Sequence, residues 1–253
     1  LVAPKHSFMQ AAVLGLLAGC GVADMAIFKP LNIGLLYTGD ELVEPGYPLL
    51  EGQVFNANRY FLETALADIK QPIAYSQKVA DTKKATSAAL KKALDIADVV
   101  LITGGISVGN YDYVLEALAE LGARTLFYKV RQKPGKPLYF GKYGDKTIFA
   151  LPGNPSAVFC CYHYYVKPFL LGCVGRKSFH ADAEQAYSES FVSPTNPLFS
   201  TLLKGYFHKG KVRILQGQES YKMDSAAEAN CLVILPEGQP HISIGEKVRI
   251  LMI

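Results

Sequence analysis

The sequence predicts an α/β fold: a three-layer domain built on a mostly parallel sheet, followed by a small all-β, barrel-like domain. Two observations predict the first part. Short β-branched runs such as VVLIT (Val99 to Thr103) read as buried parallel strands. They alternate with amphipathic stretches of helical length, the pattern of a sheet covered on both faces. A change of texture near Arg176 predicts the second part. From Phe179 onward, short alternating runs (YSESFV, TLLKGYF, KVRIL, CLVIL, EKVRILMI) are broken by Gly, Pro and Asn. With 253 residues, 50% of them hydrophobic and 19% charged, the chain is long and apolar enough to bury a core in each part.

Residues 1–31 are expected to be a connector of one helix and one strand. A core helix is expected from about Ser7 to Ala18, stopped by Gly19 and Gly21, with a strand from Ala26 to Lys29 after it. The same stretch imitates a lipoprotein signal, with Lys5 and His6 before AAVLGLL and Cys20 after it. The apolar run is shorter than the roughly 20 residues that span a bilayer, and Asp24 follows closely, so the helix is the better reading. The chain opens on Leu1 rather than Met, which points to residues upstream.

The α/β domain is expected over residues 32–176. It starts with a strand at Asn32 to Tyr37 and a long loop rich in Gly, Pro and acids at Thr38 to Gln53. Phe61, Leu62, Ala65, Leu66 and Ile69 recur at helical spacing between Asn58 and Ile69. A strand at Ile73 to Val79 leads through Asp81 into a helix at Thr82 to Ala97, whose apolar stripe is Leu90, Ala93, Leu94 and Ala97. The strand Val99 to Thr103, the glycine loop GGISVGNYDY and a helix from about Tyr113 to Leu121 follow. A hairpin turns around Lys142 to Lys146. The last helix runs from Pro155 to Leu171, with Pro155 at a first-turn position that needs no amide hydrogen. Residues 177–253 make the β domain.

The formal charge of +4, with Lys spread along the chain and no Arg-rich run, argues against a nucleic acid partner and for a small anionic ligand. The five cysteines are odd in number and form no C-x-x-C pair, so neither a disulfide framework nor a zinc site is indicated, and a reducing cytosol is the expected setting. Cys160 and Cys161 read as small core side chains and His163 as a packing or surface residue. No Ser/His/Asp arrangement is evident.

Chemistry concentrates in three loops that follow strand candidates: Gly104 to Tyr113, Phe127 to Pro137 and Leu151 to Pro155. Ligands of open α/β sheets bind beyond the carboxyl ends of the strands, so these loops are expected to share one crevice. Gly104, Gly105 and Gly109 leave unhindered amides for an anion, with Ser107 adding a hydroxyl; an ordinary strand-to-helix turn also explains them. Asp112 is either the cap of the next helix or a carboxylate for Mg²⁺ or water, and Asp81 poses the same choice. Lys129, Lys133 and Lys136 surround a Pro-Gly turn that can hold ammonium groups toward one place or simply solvate a surface. Pro152, Asn154 and Pro155 form a stiff loop, and Ser220 by itself is a loop serine.

TGDEL (Thr38 to Leu42), GGISVGNYDY, KPGKP (Lys133 to Pro137) and LPGNP (Leu151 to Pro155), in that order and spacing, resemble the molybdopterin molybdenumtransferase family, which includes the E domain of gephyrin. The resemblance covers most of the chain; GQES (Gly217 to Ser220) extends it into the β domain. It implies molybdenum cofactor biosynthesis: adenylylated molybdopterin binds, molybdate joins its dithiolene sulfurs, and AMP leaves with Mg²⁺ involved. By this resemblance Asp112, Asp81, Glu41, Lys129 and Lys133 are catalytic, with Asp112 and Asp81 on the metal. Thr38, Gly39, Asp40, Gly104, Gly105, Ser107, Lys136, Pro152, Asn154, Pro155 and Ser220 contact the pterin substrate. It also implies a cytoplasmic homodimer, without membrane insertion, whose two further N-terminal domains this sequence lacks. A noncatalytic binding or scaffold module and a molybdopterin adenylyltransferase are the alternatives.

Overall fold

The computed structural model describes residues 3–4, 7, 9–106, 113–176, 184–193 and 196–253. Helix α1 (Ala11–Gly19) buries none of its residues. This corrects the expected core helix: it starts later and its residues are exposed or at most partly buried. The expected strand at Ala26 to Lys29 is not formed either. A strand needs a neighbour to take its amides, and among the described residues none runs beside it.

From β1 (Ile33–Thr38) the chain passes two short strands, β2 (Leu42–Val43) and β3 (Val54–Phe55), then α2 (Ala57–Asp68), β4 (Ile73–Val79), α3 (Lys83–Ile96), β5 (Val99–Thr103) and α4 (Tyr113–Glu120). Next come β6 (Arg124–Tyr128), β7 (Gln132–Lys133), β8 (Tyr139–Tyr143) and β9 (Lys146–Leu151). The main sheet has the order β4-β1-β5-β9-β8-β6. Its first four strands are parallel, and β8 runs antiparallel to both neighbours.

The two-residue period of β1 builds three layers. Leu36 joins Leu90, Leu94, Val114 and Leu118 from α3 and α4 on one face. Ile33, Leu35 and Tyr37 join Leu62 and Leu66 of α2, and Val158, Tyr162 and Leu170 from the last helical stretch, on the other. That stretch is not the single helix expected from Pro155 to Leu171. It consists of α5 (Pro155–Cys161), a π-helical turn (Tyr162–Val166) and α6 (Lys167–Cys173). Pro168 has no amide hydrogen, and its ring crowds the carbonyl four residues back, so the wider turn just before it relieves the conflict.

The β domain consists of β10 (Glu184–Ser188), β11 (Ser200–His208), β12 (Lys211–Ile214), α7 (Asp224–Glu228), β13 (Cys231–Leu235) and β14 (Lys247–Met252). The order β12-β10-β14-β13-β11, with β11 also paired to β12, closes a five-stranded barrel. Val212, Cys231, Val233, Ile242 and Ile250 fill it. Two features bind barrel to sheet. Phe159 and Cys160 of α5 pack with Leu202, Ala226, Leu232, Ile234 and Leu251. In addition β7, from the connection between β6 and β8, pairs with β11 rather than with the main sheet.

Candidate functional site

The carboxyl ends of β1, β4, β5 and β9 lie at one edge of the sheet. The loops that follow them, the β6 to β8 connection and the barrel segment around Gly217 line one cleft of about 1470 Å³. That volume lies above the ~300–1,000 Å³ of ordinary small-molecule pockets.

At its floor, Gly104 and Gly105 have φ of +84° and +65°. A Cβ on Gly104 would stand 2.6 Å from Thr38 Oγ1 and 2.8 Å from Thr38 O; one on Gly105 would meet Val114 Cγ2 at 2.8 Å. The Gly104 amide donates to Leu151 O at 3.1 Å and Thr38 Oγ1 donates to Thr103 O at 3.3 Å, so the ends of three strands are laced together. Gly104→Ala is therefore expected to cost about 1–3 kcal/mol through its left-handed backbone and this crowding. Urea unfolding measures it; an unchanged midpoint would show that the turn relaxes. Ser107 and Asp112, with Gly109, lie outside the described residues.

The acids come next. Asp40 and Asp81 bond reciprocally: the Asp40 amide donates to Asp81 Oδ2 at 3.1 Å and the Asp81 amide to Asp40 Oδ1 at 3.3 Å. The cap of α3 is Thr82, whose Oγ1 accepts from the Ala85 amide at 3.3 Å. Capping thus does not account for Asp81, which together with Glu41, Thr38 and Gly39 lines the cleft. Asp40 is not among the lining residues. Gly39 makes room for Glu41, whose carboxylate oxygens lie 2.6 and 2.7 Å from where a Cβ would be.

Lys133 and Lys136 line the cleft beside Pro134, Gly135 and Pro137. Lys129 does not; its ammonium lies 5.0 Å from the centre of the Tyr128 ring. On the facing wall stand Pro152, Asn154, Pro155 and Ser220. Asn154 Nδ2 donates to Ser220 Oγ at 3.0 Å, and the Ser156 amide to Ser220 O at 3.0 Å, so the barrel loop and the start of α5 form one surface.

Three residues escaped sequence reasoning. Asn58 lines the cleft and donates through Nδ2 to Gly153 O at 2.7 Å, while its buried Oδ1 has no hydrogen-bond partner among the described residues. Lys204 is 1% exposed, and its ammonium donates to Ser156 Oγ at 2.7 Å, Gly217 O at 3.0 Å and Lys222 O at 3.5 Å. Burial lowers its pKa, opposed by Cys160, Asp224 and Glu219. Its signal was available, since it shares strand parity with Leu202 in TLLKGYF. The third, Gln132, is 3% exposed and gave no signal at all.

Among the described residues, no three His, Cys, Asp or Glu side chains gather as a metal cluster, and no helix is long and apolar enough to cross a membrane.

Residues 34–172 match the family model described as a probable molybdopterin binding domain, and residues 196–253 match the MoeA C-terminal region (domain IV). Molybdopterin molybdenumtransferase of Bacillus subtilis is 30% identical over 254 residues, covering 98% of this chain and 59% of the relative. The protein of the same name in Haemophilus influenzae is 28% identical over 242 residues, covering 94% and 60%. A solved molybdopterin biosynthesis MoeA protein from Pyrococcus horikosii superposes with a TM-score of 0.83 at 24% identity, covering 99% of this chain and 61% of that one. It shares the fold. The chain thus spans about 60% of the length of the curated relatives it matches.

Proposed function

The chain belongs to the molybdopterin-binding domain family, and on that premise we propose that its cleft carries out the molybdate-insertion step of molybdenum cofactor biosynthesis. Adenylylated molybdopterin and molybdate are the substrates, and AMP leaves. The observation that carries this reading is the gathering of the glycine turn, two lysines and three carboxylates (Glu41, Asp81 and Glu219) from five separate segments around one cleft.

In this reading the Gly105 amide, with Ser107, receives phosphate oxygens, while the Gly104 amide, held by Leu151 O, fixes the turn that presents it. Lys133 and Lys136 hold the molybdate dianion and the charge that develops on the anhydride. Lys129 is left out of this contact set because it does not line the cleft, whereas Lys136 does although its ammonium lies 5.6 Å from the centre of the Phe199 ring. Pro152, Asn154, Pro155 and Ser220 shape the wall against the pterin. Asp40 acts from behind the cleft by holding Asp81.

Mg²⁺ is the metal assigned here, with Asp81 and Asp112 as its protein ligands. Carboxylates are hard oxygen donors, which suits an ion that keeps waters and phosphate oxygens as its remaining ligands. Bound there, it supplies charge neutralisation at the phosphates. Glu41 orients the water whose oxygen attacks the adenylyl phosphorus and takes its proton as the anhydride bond breaks. A cytoplasmic setting and a homodimer of the longer protein complete the proposal; all five cysteines are unpaired, in keeping with a reducing compartment.

The test is AMP release by the purified chain given adenylylated molybdopterin, molybdate and Mg²⁺. Molybdate-dependent release supports the reading. Binding without release makes the chain a noncatalytic module, and no binding ends the proposal.

A further inference from the structure

We propose that Gln132 is a positioning residue that sets the geometry of the lysine turn. This rests on the reading above, in which Lys133 and Lys136 hold an oxyanion. Gln132 lies one residue before Lys133 and is buried; it falls inside the Phe127 to Pro137 loop but just outside the KPGKP motif. Its Nε2 donates to Pro134 O at 2.7 Å, and its Oε1 accepts from Tyr165 Oη at 2.5 Å. One amide group therefore ties the Pro134–Gly135 turn to the π-helical stretch. A primary amide is suited to this because it offers a donor and an acceptor at fixed separation on a planar head.

Independent contacts seat the same turn. Gly135 has φ +99°, and a Cβ there would lie 2.5 Å from Cys161 Sγ and 3.0 Å from Gln132 Nε2. The backbone leading into the turn is fixed by pairing of Gln132 with Ser200 and of Lys133 with Thr201. Strand pairing sets where the turn begins, and the Gln132 amide sets how it is rotated. The lysines on its two flanks then point where the rotation sends them. Because a misplacement of about 1 Å at an oriented site costs on the order of 10²-fold, the orientation of this turn is a functional quantity.

The experiment is calorimetric titration of the intact chain with molybdate and, separately, inorganic phosphate, with melting temperature and circular dichroism as controls. Lys133→Ala tests the underlying reading: unchanged anion affinity would remove it and this inference together. With that loss present, Gln132→Met, which keeps length and apolar packing but neither hydrogen bond, is expected to weaken molybdate about tenfold. Tyr165→Phe, which removes one of the two bonds, is expected to weaken it about threefold. Wild-type affinity in both would overturn the inference while leaving the lysine reading intact.

Gln132→Glu gives a readout that mere structural support does not move. Burial raises a carboxyl pKa toward neutrality, and the protonated carboxyl can donate to Pro134 O as the amide does. Affinity relative to wild type is expected to recover between pH 8 and about pH 5.5. A flat ratio overturns the proposal, and this series together with Tyr165→Phe decides the matter if Gln132→Met does not fold.

Discussion

Exchanging Asp81 for asparagine is expected to lower AMP release by about 10²–10³-fold, or roughly 3–4 kcal/mol of transition-state stabilisation, with little change in melting temperature. The contrast follows from what Asp81 does and does not hold. Thr82 caps α3, so the helix start does not depend on Asp81. The one backbone bond its side chain accepts, from the Asp40 amide at 3.1 Å, can be accepted equally by an asparagine oxygen. Only the charge is lost, and it faces the cleft that Glu41, Lys133 and the glycine turn also line. Turnover and a thermal melt on the same preparation decide the point. Wild-type turnover would strip Asp81 of any role at the metal, and a large loss of stability would make it a structural acid.

The second large effect is on stability in acid. His163 lies in the π-helical turn with its ring 4.6 Å from that of Phe159, 5.2 Å from Tyr162 and 5.9 Å from Phe61, centre to centre. Its Nδ1 is buried without a partner. Burial pushes its pKa down from 6.5 to about 3, and Lys167 adds to the effect. Between those values the unfolded chain carries a proton on this ring that the folded chain refuses. Folding stability therefore falls as pH drops below 6.5, by about 1.4 kcal/mol per unit, and about 3 kcal/mol is lost by pH 4. His163→Phe keeps an aromatic ring in the same apolar wall and cannot take the proton. Urea unfolding from pH 7 to 4 should show the variant losing less stability than wild type. Parallel pH curves would sink the argument.

Much of the sheet was legible because each strand carries its own evidence. Val99–Thr103 lies where a β-branched run predicted a buried strand, and Ile73–Val79 where a short second strand was expected. The hairpin around Lys142 to Lys146 and the Pro155 start of α5 were local signals too. The barrel was predicted as a class, but its closure through β11 and β12 is a long-range pairing that no single segment encodes. The transfer of β7 to the barrel was invisible for the same reason: two residues pair with a strand almost seventy positions away. Within the cleft, residues in glycine and proline loops announced themselves through backbone chemistry. Asn58 and Gln132 work through single side-chain bonds to carbonyls, and such bonds leave no periodicity or motif. Lys129 was grouped with its neighbours by sequence proximity, whereas its positive φ of 65° accompanies a side chain that turns to Tyr128.

Strand β11 ties two parts of the cleft together: its first residues pair with the approach to the lysine turn, and Lys204 in its middle grips both α5 and the Ser220 loop. Parting the two bodies would break ladder bonds and strand a buried cation, a far larger penalty than thermal motion supplies. The sheet and the barrel therefore bound the cleft together, and under the function proposed above a ligand is expected to enter by the open rim rather than through a hinge between them.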